Sequence, residues 1–83
     1  MLPELRHQIN RAAERYAEMV HNGEDATMLA SERYGRLMGL LWTWRYMHDS
    51  PEAVRGMAER EIEAAQVRLG YIDAEGYAVE GAA

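Results

Sequence analysis

The chain has 83 residues, no cysteine and no lysine, and fourteen acidic side chains against nine arginines give a net charge of −5. The lack of cysteine excludes a disulfide scaffold, Cys-type zinc sites and thiol redox chemistry. The acid excess argues against a nonspecific nucleic-acid binder, which needs a basic surface. A chain of this length buries only about 60–65% of its unfolded surface, so regular helix packing or dimerisation is the expected supplement to its core.

Pro3 suits a first helical turn, where its missing N–H would have no partner anyway. Beyond it, Leu5, Ile9, Ala12, Ala13, Tyr16, Met19 and Val20 recur at three- and four-residue steps, one face of a helix. Arg6, Arg11, Glu14, Arg15 and Glu18 take the other side. "HNG" ends this first helix, with Gly23 as the left-handed residue and His21 at the negative helix end.

A polar connection follows, with Asp25 and Thr27 as candidate caps for a second helix. That helix runs to about His48, where "HDSP" stops it and starts a third: Ser50 as N-cap, Pro51 at the first helical position, Glu52 in the first turn. Val54, Ala58, Ile62, Ala65 and Leu69 then form one stripe with Met57 at its edge, and Gly70 closes the helix. "YIDAEGYAV" favours two short extended pieces around a turn at Gly76. The expected fold is all-α: a three-helix bundle in one domain, 1–83, with helices about 3–22, 26–48 and 51–69 and a short C-terminal β-hairpin or extended tail.

The most apolar stretch, "YGRLMGLLWTWRYMH" (34–48), is too short for a bilayer, which needs about 20 apolar residues. Its N-terminal lead has no basic-then-apolar pattern of a signal peptide, so a cytoplasmic protein is expected. Wound at about 100° per residue, the second helix shows two apolar faces. One carries Leu29, Leu37, Leu40, Leu41, Trp44 and Met47. The other carries Met28, Ser31, Gly35, Gly39, Trp42 and Tyr46. A helix apolar on both sides must be covered on both sides. The small residues Ser31, Gly35 and Gly39 let a backbone come close, and Trp42 and Tyr46 resemble the aromatic anchors of interfaces. The cover is helix 1 or the tail of the same chain, a second copy in a homodimer, or another protein. Arg33, at the rim of the Leu face, is expected to reach a carboxylate.

No nucleophile constellation, phosphate loop or cofactor motif is present, so no enzyme is expected and no cofactor is implied. His7, Glu14, Glu18 and His21 fall on one stripe of helix 1, and Glu18 and His21 have the spacing used in carboxylate metal bundles. The stripe lies opposite the apolar face, which makes a solvated surface the expectation and a metal site the alternative. Three helices followed by strand–turn–strand also suggest the outline of a winged-helix DNA binder. The length of helix 2, the glutamates of helix 3 and the acidic turn argue against it.

The expected function is that of a small acidic interaction protein, homodimeric through Ser31, Gly35, Gly39, Trp42 and Tyr46, acting on a protein partner. Size and composition suit a phage or mobile-element inhibitor of a host defence or regulatory protein. In that form Glu59, Glu63, Asp73 and Glu75 would occupy a basic surface of the target. Neither a membrane nor nucleic acid is an expected partner.

Overall fold

A computed structural model describes residues 2–45 and 50–79. It contains three helices in the order α1 (Pro3–His21), α2 (Met28–Arg45) and α3 (Pro51–Arg68), packed together in a bundle of 40 × 27 × 22 Å. Ring and ion-pair contacts fix their directions. Only residues 22–27 separate α1 from α2, and while Tyr16 meets Tyr34 near that turn, Arg36 lies farther from it beside Arg11 and Ala12, so α1 and α2 run antiparallel. Arg6 pairs with Glu61 and Glu14 with Arg68, so α1 and α3 run parallel.

Local chemistry sets the helix ends. Thr27 caps α2: its hydroxyl accepts from the Ala30 N–H (3.2 Å) and donates to the Glu24 carbonyl (2.8 Å). Ser50 caps α3 by accepting from the Ala53 N–H at 3.2 Å. The C-termini of α1 and α3 close alike. Gly23 and Gly70 turn left-handed (φ 73° and 78°), and the following N–H reaches back to the Met19 and Gln66 carbonyls at 2.8 and 2.9 Å.

The core is rich in alanine. Its buried cluster is Ile9, Ala12, Ala13, Ala17, Leu37, Leu41, Val54, Ala58, Ile62 and Ala65. Alanine at the seams lets helix axes come close, toward the lower end of the usual 8–10 Å range. It also leaves the large fully buried side chains few: Ile9, Leu37, Leu41 and Val54.

Beyond α3 the chain makes a single isolated antiparallel bridge, Ile72 to Ala78, and no two-stranded hairpin forms among the described residues. Main-chain bonds flank the bridge, Asp73 N–H to the Tyr77 carbonyl (2.8 Å) and Val79 N–H to the Tyr71 carbonyl (3.2 Å). The Asp73 carboxylate holds the turn by accepting from the Glu75 and Tyr77 N–H groups at 3.0 and 2.9 Å. Tyr71 lies flat on His21, ring centroids 3.8 Å apart, and fastens this tail to the end of α1. Among the described residues, no helix is long and apolar enough to cross a membrane.

Candidate functional site

The rotational setting of α2 decides what the bundle offers to other molecules. Its buried residues are Ala30, Leu37 and Leu41, with Tyr34, Met38, Leu40, Trp42 and Trp44 packed partly against the core. Two assignments from the sequence therefore change. Leu29, placed on the core face, is 47% exposed. Trp42, placed on the outer face, packs partly against the core. Ala30 supplies the reason: it faces inward, and turning α2 to bury Ala30 swings Leu29 out and draws Trp42 in.

The outer face of α2 holds Ser31, Gly35, Gly39 and Thr43 at four-residue steps, all exposed. Nothing lies within 4 Å of where a Cβ would stand on Gly35 or Gly39. Neither α1 nor the tail enters this notch, so cover from within the chain is absent among the described residues. Met28, 80% exposed, lies at the head of the strip. Ser31 and Thr43 turn their hydroxyls back onto the Thr27 and Gly39 carbonyls (3.4 and 2.9 Å), which leaves the strip with little free hydrogen-bonding capacity. Tyr46, Met47, His48 and Asp49 lie outside the described residues.

The indole N–H of Trp42 is buried without a hydrogen-bond acceptor among the described residues. An orphaned buried donor costs about 1–3 kcal/mol. Trp42→Phe removes it while keeping an aromatic ring, so the lost contact area and the relieved donor should offset each other to within about 1 kcal/mol. Urea denaturation checks this; a loss near the 3–5 kcal/mol typical of truncating a buried aromatic would contradict it.

The acidic residues divide into two pairs. Glu59 and Glu63 lie one turn apart on α3, both exposed, and Asp73 and Glu75 lie in the tail turn. No hydrogen bond or ion pair among the described residues links one pair to the other. Asp73 is partly engaged, because one of its oxygens holds the turn together. Burial, reinforced by the negative charge of Glu59, holds the Tyr34 hydroxyl above its ordinary pKa.

The polar stripe of α1 is also engaged in part. Glu14 pairs with Arg68 (3.1 Å) and His21 stacks on Tyr71. Among the described residues no group of three or more His, Cys, Asp or Glu side chains is close enough to hold a metal ion. Arg33 differs from expectation. Its guanidinium donates to the Arg15 main-chain carbonyl (3.3 Å) and not to a carboxylate. Arg6 is held most firmly: Glu61 takes both of its terminal nitrogens, one at 2.9 Å, and Asn10 accepts from Nε at 3.0 Å. The Glu61 hydrogen bonds hold the Arg6 guanidinium above its ordinary pKa.

The structure thus defines a three-helix bundle with one helix face left open. No protein family, curated protein or solved structure matches the chain.

Proposed function

We propose that this chain is a non-enzymatic interaction protein that pairs with a second copy of itself through the open face of α2. Glycine in a helix interior costs about 1 kcal/mol relative to alanine. Gly35 and Gly39 both incur that cost in the middle of α2, where nothing among the described residues comes within 4 Å of an added Cβ. This is the observation that carries the reading: close approach of a backbone is what glycine permits and alanine obstructs. A second copy fits because a strip that meets its own counterpart across a two-fold axis brings one notch against another. Ser31, Gly35 and Gly39 would form its centre, with Trp42 at one edge.

In its fuller form the dimer presents Glu59, Glu63, Asp73 and Glu75 to a basic surface of a protein partner, as an inhibitor of a host defence or regulatory protein would. Charge complementarity of this kind speeds encounter and sets specificity more than it adds affinity.

Sedimentation equilibrium tests the pairing. The expected mass is twice the 9.5 kDa of one chain. A chain that stays monomeric at about 100 μM has an association free energy weaker than about −5.5 kcal/mol, and the proposal then fails.

A further inference from the structure

The arginines of this acidic chain differ in what they touch. Arg6 and Arg68 are engaged by Glu61 and Glu14. Arg11, Arg15 and Arg36 have side chains with no hydrogen bond or ion pair among the described residues. These three line one groove, of about 240 Å³, together with His7, Gln8 and Ala12. Arg33 is not one of the lining residues; its guanidinium is held by the Arg15 main-chain carbonyl.

The antiparallel setting of α1 and α2 produces this gathering. Arg11 and Arg15 stand one turn apart on α1, and Arg36 comes opposite them from α2. Glu14 and Glu18, three residues from Arg11 and Arg15, and Glu32, four from Arg36, are the nearest acids in the helical pattern. Glu14 is taken by Arg68, and none of the three forms an ion pair with these arginines among the described residues. Like charges gathered without a counter-charge repel one another. No carboxylate among the described residues forms an ion pair with these guanidiniums.

We infer that the groove between α1 and α2 binds a small ligand through a di- or triphosphate group. The guanidinium fork matches phosphate oxygens in pairs, and several forks around one group need an anion with several charged oxygens. A single carboxylate satisfies one fork and leaves the others unmatched. The groove is smaller than the roughly 300–1,000 Å³ of sites that enclose a whole ligand, so it takes the phosphates and leaves the remainder outside. A long nucleic-acid strand would run on past the groove into the field of a protein of net charge −5. A short anion senses mainly charges within about 8 Å at physiological salt, and the lining of the groove holds three arginines and no carboxylate.

Calorimetric titration of the full chain with inorganic tripolyphosphate tests the site, with citrate as a carboxylate of similar charge. One tripolyphosphate per chain is expected, with citrate weaker by about tenfold or more, and with Arg11→Gln and Arg36→Gln each weakening tripolyphosphate about tenfold. Arg55→Gln, on α3, should leave binding unchanged. Amide NMR shifts of the unaltered protein at His7, Arg11, Arg15 and Arg36 keep the test independent of how the variants fold, and their absence overturns the site. An equal loss from Arg55→Gln also overturns it, since that marks general screening. A short single-stranded oligonucleotide that displaces tripolyphosphate, with affinity falling steeply as salt rises, replaces the small ligand with a nucleic-acid strand. The site is read per chain, so it stands or falls separately from dimerisation.

Discussion

Gly35→Ala combined with Gly39→Ala should make the single chain more stable and the dimer weaker. Each change gains about 0.8–1 kcal/mol of helix propensity, so the isolated fold should gain about 1.6–2 kcal/mol. No clash subtracts from this, because both positions face open space. At the proposed interface the same two methyl groups stand where a second backbone must come close. The dimer Kd should rise at least about tenfold, equivalent to 1.4 kcal/mol. Urea denaturation at low protein concentration reads the first effect, and sedimentation equilibrium reads the second. Opposite signs in the two measurements distinguish an interface from a merely suboptimal helix. If both variants gain stability and the association state does not change, the glycines have no role in pairing.

Leu37→Ala should be close to the limit of what the fold tolerates. Leu37 is fully buried in a core cluster in which five of ten members are alanines, whose short side chains have little reach to fill a void. Truncating a buried leucine costs about 2–5 kcal/mol, with the higher values where the site fails to collapse. A domain of 83 residues has a total stability of roughly 4–12 kcal/mol at 0.05–0.15 kcal/mol per residue. The loss should therefore appear as a large fall in urea midpoint or as a chain unfolded at 37 °C. A change below about 1 kcal/mol would show that the alanine-lined core repacks freely.

Helix boundaries were legible because the signals that set them are local. Thr27, Ser50–Pro51, Gly23 and Gly70 each act within a few residues, and the observed ends fall where they stand. The inward stripe of α3 was equally plain, from Val54 to Leu69, since its opposite side is charged. The rotation of α2 was not. A helix with apolar residues on both sides has two plausible settings, and the difference rested on Ala30, whose small side chain gives little sign of burial in a periodic pattern. Ala17 was overlooked on α1 for the same reason. The open glycine strip was visible as a spacing, but whether α1 covered it depended on packing. The arginine groove was not visible at all, because Arg11 and Arg36 meet only through the register of two antiparallel helices.

Both ion pairs noted above join α1 to α3, across 55 and 54 residues of sequence. The contact between α1 and α2, across a short turn, rests on rings, apolar side chains and the hydrogen bond from Arg33 to the Arg15 carbonyl, with no ion pair among the described residues. The order of assembly follows from that difference. Closing the short turn is entropically cheap, so the α1–α2 hairpin is the natural early structure. Docking of α3 onto it closes a much longer loop and is the step that charge guides. Ionic strength therefore acts with opposite sign on the two contacts: salt relieves the repulsion among Arg11, Arg15 and Arg36 between α1 and α2, and it weakens the ion pairs that hold α3 to α1.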